Sequence, residues 1–229
     1  MDGLVFNSIV SDKTHYGVIW EGQYKGLDCI IKMVALDTGI HYDKRHDCYR
    51  NHDSRISTST AIKHFETNHK TQINNITIPF HHTKYIKRKA MSIDNFHHEI
   101  SMLKSVNKIK LAPKLYHHWI DNKSYKVHYG FIVMERMSST VKDILLRRNL
   151  SSKELEYIQS KINKLRRHNI KHGDLKPSNI GVNLDRSGYI SSIRMIDWAK
   201  GGYTDDKDKF DRDLRIFKLH VKKNISERE

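Results

Sequence analysis

Cysteine is scarce in this chain of 229 residues: Cys29 and Cys48 are the only two. That number cannot build a disulfide framework, so a reducing intracellular compartment is expected. No apolar stretch approaches the roughly 20 residues of a membrane span, so no span is expected. Residues 1–10 carry no basic segment ahead of an apolar run; a secretory signal is therefore not expected, and the cytoplasm is the expected location. Acidic residues are also few, 26 Asp and Glu against 41 Lys and Arg, which leaves a formal net charge of +15. Such a surface attracts polyanions without specificity. The basic residues are dispersed, with short clusters only at 84–89, 147–148 and 164–167. No basic repeat interleaved with aromatics is present, and no nucleic-acid motif, so a dedicated nucleic-acid binder is the weaker expectation.

Against these absences stands one dense motif. His172-Gly173-Asp174-Leu175-Lys176-Pro177-Ser178-Asn179 is followed after a strand-like run by Met195-Ile196-Asp197-Trp198. Transfer of a phosphoryl group from ATP spreads charge over the oxygens of the moving group. The protein must position reactants and supply compensating charge rather than form covalent bonds. Asp174 can accept the proton of an attacking hydroxyl, and Lys176 can neutralise the growing charge. Magnesium or manganese needs hard oxygen ligands, which Asp197 and the Asn179 side-chain carbonyl offer from two neighbouring loops. A bare polar turn punctuated by Gly173 and Pro177 is the plain alternative; the length of the motif argues against it.

The motif resembles the catalytic loop of the eukaryotic-type protein kinase superfamily, and Lys176-Pro177 its serine/threonine branch. The resemblance implies an α+β, two-lobed kinase-like fold: an N-lobe and hinge over 1–137 and a minimal C-lobe over 138–229. Residues 5–10, 17–21 and 28–34 read as three strands separated by Gly22 and Lys25-Gly26. Tyr16 to Gly22 resembles the end of a glycine-rich loop, with Asp12 and Thr14 where the family has glycines. Cys29-Ile30-Ile31-Lys32 stands where it has Val-Ala-Ile-Lys. Gly17, Ile19 and Ile30 are thereby implied in the nucleotide site, and Lys32 on the α- and β-phosphates. Phe96, Ile100, Leu103 and Val106 recur at helical spacing, which makes Glu99 the implied partner of Lys32. Residues 114–120 and 129–135 read as two further strands. Phe131 to Met137 then resembles the hinge, with Met134 gating the pocket and the backbone of Glu135 and Met137 reading the adenine edge. Ser138-Ser139 reads as the cap of a helix through Leu146. Ser151 to Glu154 opens another, with Leu155, Ile158, Ile162 and Leu165 on one face.

Three features depart from the family pattern. Residues 37–90 form a long insertion, with a helix expected near 60–68. It contains His41, Asp43, His46, Cys48 and His52, whose spacing matches no recognised zinc pattern, and Lys87, a rival to Lys32. Asp197-Trp198-Ala199 replaces Asp-Phe-Gly, no Ala-Pro-Glu follows, and a final helix near 210–217 is expected to buttress the catalytic loop. Gly173 replaces the arginine that reads activation-loop phosphate, which argues against that control. Compact C-lobes of this kind resemble kinases of large DNA viruses, which would place the chain in host cytoplasm. The implied function is an ATP- and magnesium-dependent serine/threonine protein kinase acting on a protein substrate. A pseudokinase scaffold remains open because of Asp12, Thr14 and Gly181, the last where an apolar residue forms the adenine floor. A small-molecule phosphotransferase remains open because Ile-Asp-Trp resembles aminoglycoside and choline phosphotransferases.

Overall fold

A computed structural model describes residues 3–11, 17–37, 40–43, 48–51, 91–121 and 128–226, without the side chains of 37–51 and 223–226. It is a mixed α+β structure whose sheets are mostly antiparallel. Two compact units are present: Met1–His97 with Leu115–Arg136, and His98–Lys114 with Met137–Glu229.

The first unit contains β1 (Leu4–Ser11), β2 (Gly17–Tyr24), β3 (Leu27–Asp37), β4 (Ile40–Asp43), β5 (Cys48–Asn51), β6 (Met91–Ser92), β7 (Leu115–Asp121) and β8 (His128–Glu135). The main sheet runs β1-β2-β3-β8-β7, antiparallel throughout, and β6 adds to β3 in parallel. Lys25 (φ 52°) and Gly26 (φ 78°) join β2 to β3. Two consecutive positive φ values give the turn twist that matches right-handed strands, which is why the chain reverses here.

Gly22 does not separate strands, as its identity suggested. It lies inside β2, where an added Cβ would sit 2.2 Å from the Val5 carbonyl oxygen and 2.7 Å from Ile31 Cδ1. Glycine is there for close approach of β1. Gly22→Ala is accordingly expected to destabilise the protein by about 1–3 kcal/mol through overpacking. Urea unfolding monitored by tryptophan fluorescence checks it, and an unchanged midpoint would refute it.

β3 reads as a nearly continuous apolar run because it is central and buried on both faces. Cys29, Ile31, Met33 and Ala35 point to one face with Val18, Trp20, Tyr129, Phe131 and Val133, forming a packed core. The registers Ile19↔Lys32, Lys32↔Ile132 and Ile30↔Met134 put Ile19, Ile30, Lys32, Ile132 and Met134 on the other. The insertion leaves and returns beside itself: Leu36 pairs with Met91 and Asp37 with Ser92. Within it β4 and β5 pair as an antiparallel hairpin. Its expected helix near 60–68, His46, His52 and Lys87 lie outside the described residues, as do the side chains of His41, Asp43 and Cys48.

Helix α1 (Ile93–Asn107) begins where the Ser92 hydroxyl accepts a hydrogen bond from the Asn95 amide at 3.1 Å, an N-terminal cap. Phe96, Ile100, Leu103 and Val106 are buried as their spacing predicts. Phe96 lies flat enough on β8 that a Cβ at Gly130 would meet its ring at 2.5 Å.

The second unit continues with β9 (Ser139–Thr140), α2 (Val141–Leu145), α3 (Ser152–Arg167), β10 (Ile170–Lys171), β11 (Ile180–Leu184), β12 (Ile190–Met195), β13 (Gly202–Tyr203) and α4 (Lys207–Ser226). The sequence misplaces the start of α2. Thr140, not Ser138-Ser139, is its cap, in a reciprocal pair with Asp143. The two serines are used otherwise: the Ser138 hydroxyl donates to the Val182 carbonyl at 3.0 Å, and Ser139 pairs with Val182 in the β9–β11 ladder. α2 is therefore one residue later and shorter than expected.

Ser151 and Glu154 form the expected capping box of α3. Ile158, Ile162 and Leu165 are buried with Glu154, while Leu155 stays half-buried. Arg148 meets Glu154 with two bonds, Nη1–Oε2 at 2.8 Å and Nη2–Oε1 at 2.6 Å, and Ile190 N–H donates to Oε1 at 3.2 Å. One carboxylate thus ties the helix start to the β11–β12 hairpin. The Arg148 guanidinium, with the Ser151 and Ile190 amides, holds the Glu154 carboxyl down at about 2, against an ordinary 4.5. Because the folded value lies below the unfolded one, this stabilisation is complete above pH 4.5 and lost as pH falls through 2. Glu154→Gln is expected to lose about 2 kcal/mol at pH 6, discounting for the half-exposed arginine, with the gap to wild type narrowing towards pH 2. Denaturant midpoints across pH 2–7 measure this, and a pH-independent gap would refute it.

Candidate active site

The motif 172–179 runs from the end of β10 into a 3-10 turn, Pro177–Asn179, that leads directly into β11. Proline at the start of that turn removes an N–H that would have no partner there. The loop is held from below. Asp213 of α4, 3% exposed, accepts from the His172 amide at 2.7 Å (Oδ2) and from the Gly173 amide at 3.0 Å (Oδ1). Burial pushes the Asp213 carboxyl up and the His172 imidazole down. The hydrogen bonds of the buried imidazole are those of its neutral form. Its Nδ1 accepts from the Asp174 amide at 3.3 Å and its Nε2 lies 2.9 Å from the Ile196 carbonyl, an arrangement that assigns the proton to Nε2. His172 thereby bridges the Asp174 loop to the residue before Asp197. The expected helix near 210–217 is longer, Lys207–Ser226, and does buttress this loop.

Within the loop, Asn179 Nδ2 donates to the Asp174 carbonyl at 2.9 Å and reaches Asp174 Oδ2 at 3.5 Å. Lys176 Nζ lies 3.3 Å from Asp174 Oδ2. The structure thus brings Asp174, Lys176 and Asn179 together. Asp197 arrives by strand register. Ile180 pairs with Met195 across β11 and β12, and just beyond that pair the Ile196 amide donates to the Asn179 carbonyl at 2.9 Å. Asn179 and Asp197 therefore stand at the same end of one hairpin, offset by a single residue. Asp197 is in the left-handed region (φ 65°, ψ 66°). A non-glycine residue kept there costs about 1 kcal/mol or more and marks a backbone held by its surroundings. Trp198 supplies part of that hold: fully buried, it donates from Nε1 to the Met195 carbonyl at 2.7 Å and packs on His172 with ring centroids 4.5 Å apart.

Gly173 has φ 80°, and a Cβ there would lie 2.4 Å from the Lys200 carbonyl oxygen. No side chain fits, so an arginine at this position is excluded by packing. Gly181 sits in β11 under Met137, whose Cγ would be 2.7 Å from an added Cβ. The methionine covers the place where the strand offers no side chain.

The remaining sequence-selected residues are placed as follows. Gly17 opens β2 with its Cα against β3, a Cβ there falling 1.7 Å from the Met33 carbonyl oxygen. Ile19, Ile30, Lys32 and Met134 share one sheet face, as the registers above require, and Glu135 ends β8 opposite Cys29. Lys32, 7% exposed, is the one charged residue within the buried span of β3. Glu99 is 1% exposed on the apolar side of α1. Both are charged side chains held out of water, which is costly unless they are paired. Asp12 and Thr14 lie outside the described residues. Among the described residues no cluster of three His, Cys, Asp or Glu side chains gathers as a metal site; the Asn179 and Asp197 pair is of a different composition.

Two contributors went unnoticed in the sequence. His98 Nε2 lies 2.8 Å from the Gly201 carbonyl, joining α1 to the segment after Asp197. Lys200 Nζ stands 4.0 Å from Asp174 Oδ2. Neither belongs to the 172–179 motif, and only the folded chain brings Lys200 to Asp174 and His98 to the segment after Asp197. No family model matches this chain, and no curated protein matches it.

Proposed function

We propose that this chain is an ATP-dependent phosphotransferase of the protein-kinase type, with Asp174 as the base for an acceptor hydroxyl of a protein substrate. The observation that carries the reading is the joint placement of Asp174, Lys176, Asn179 and Asp197 by one loop and one hairpin. A carboxylate beside an ammonium, next to two hard-oxygen donors at a strand end, is the set of groups that in-line transfer to a hydroxyl uses.

The donor set fits magnesium. The Asn179 nitrogen is committed to Asp174, which directs its carbonyl oxygen away as a ligand, and Asp197 supplies an anionic oxygen. When bound, the metal would neutralise phosphate charge. The protein's own groups do the rest: Asp174 takes the hydroxyl proton, Lys176 offsets charge on the transferred group, and the His172 and Asp213 contacts keep the loop in place. Lys32 and Glu99 keep the roles that the kinase resemblance implies, and Gly17, Ile19, Ile30, Met134, Glu135 and Met137 remain the nucleotide-contacting candidates. Met137 over Gly181 weakens the scaffold reading, since an apolar surface is present without a side chain from β11.

Two measurements test the proposal. Mg-ATP should raise the melting temperature, because a ligand of the native state stabilises it by mass action. Labelled phosphate should pass from ATP to a protein acceptor or to the chain itself. A shift without transfer would leave a nucleotide-binding scaffold, and neither would end the kinase reading.

A further inference from the structure

We propose that Lys200 is a receptor for an anionic group of the acceptor, so that the substrate is an acidic or phosphorylated protein segment; this rests on the phosphotransferase reading above. Lys200 is carried on a short turn, Trp198–Lys200, that follows Asp197, and its backbone is fixed on several sides. Its carbonyl packs on Gly173. The next residue donates from its amide to the Trp198 carbonyl at 2.9 Å and receives His98 on its own carbonyl. Beyond it, Gly202 and Tyr203 pair with Lys171 and Ile170, and the Thr204 amide donates to the Asn169 carbonyl at 2.8 Å. A turn anchored in this way fixes the place from which the lysine side chain extends.

That place is beside the reacting group. Lys200 Nζ lies 4.0 Å from Asp174 Oδ2, on the carboxylate that Lys176 also approaches at 3.3 Å. Two ammonium groups thus approach one carboxylate. Lys176 has a task in the transfer itself; Lys200, with 68% of its side chain exposed, faces outward from the same oxygen. An acceptor hydroxyl within hydrogen-bond reach of Asp174, about 3 Å, would stand within about 7 Å of Lys200 Nζ. An extended chain advances about 3.3 Å per residue. A carboxylate or phosphate on a residue one or two positions from the acceptor therefore reaches this lysine. The net charge of +15 steers the same class of partner towards the chain.

The test compares serine peptides that differ only in flanking residues: aspartate, phosphoserine or alanine. In Lys200→Ala the ratio of kcat/KM for aspartate-flanked to alanine-flanked peptide is expected to fall about fivefold, the scale of a single solvent-facing charge pair, and in Lys200→Glu to invert. A larger fall for the phosphoserine peptide assigns a previously phosphorylated substrate; an equal fall assigns a carboxylate. Ratios within twofold of wild type in both variants, with unchanged melting temperature, would overturn the proposal. Fluorescence anisotropy of labelled peptides gives a readout that needs no turnover. If wild type transfers no phosphate, weaker binding of the aspartate peptide by Lys200→Ala keeps the anion receptor while the catalytic reading fails, and equal binding removes the receptor.

Discussion

Phosphate transfer is expected to fall about a thousandfold in Asp174→Asn, the middle of the range for removal of a general base. The substitution keeps the shape of the side chain and leaves the Asn179 bond to the residue 174 carbonyl in place. What it removes is the proton acceptor and the charge that faces Lys176 and Lys200. Those pairs are partly exposed, so the stability change should stay under about 1 kcal/mol. The signature is therefore a large loss in single-turnover rate with the Mg-ATP thermal shift intact. Transfer at the wild-type rate would sink the assignment of Asp174, and a lost thermal shift would indicate a damaged fold.

Asp213→Ala is expected to destabilise the protein by about 3 kcal/mol. Two backbone amides, His172 and Gly173, lose their acceptor in a setting where Asp213 itself is 3% exposed. The His172 donor is buried and, left without a partner, costs about 1–3 kcal/mol, while the Gly173 donor is partly exposed and adds less. For a chain of this size the melting temperature should drop by about 10 °C. Asp213→Asn should fall between wild type and alanine, because its one carbonyl oxygen can accept from only part of the pair. Asp213 acts as a positioning residue: it holds the backbone of the two residues that precede Asp174, so transfer should weaken even in protein that remains folded. Calorimetry of the three proteins decides the point, and an alanine variant within 1 kcal/mol of wild type would refute it.

The sequence was most legible where local chemistry is sufficient. The α3 cap follows from Ser151 and Glu154 at the right spacing, because a capping box closes within one turn. The Lys25-Gly26 turn follows from Gly26, which tolerates positive φ and carries Lys25 with it. The strands around 28–34 and 129–135 follow from apolar and β-branched runs. Where the reading went astray, a distant partner decided. Gly22 looked like punctuation, yet it is required by Val5 and Ile31 across two strand contacts. Ser138-Ser139 looked like a cap, yet Val182 recruits both into the β9–β11 edge and leaves capping to Thr140. Glu154 looked like a cap alone, and Arg148 and Ile190 make it the centre of a small network.

The same division holds for the candidate site. Residue identity and spacing, with the kinase resemblance they carry, pointed to Asp174, Lys176, Asn179 and Asp197. That Asn179 and Asp197 stand side by side depends on the β11–β12 register, a pairing fixed by backbone hydrogen bonds and not by any single residue. That Gly173 excludes a side chain, that Lys200 reaches Asp174 and that His98 reaches Gly201 depends on a close approach of chain segments far apart in sequence. Spacing carries information only as far as local geometry extends. Beyond that, close packing chooses the neighbours, and for this protein it placed a second lysine at the aspartate the sequence had already singled out.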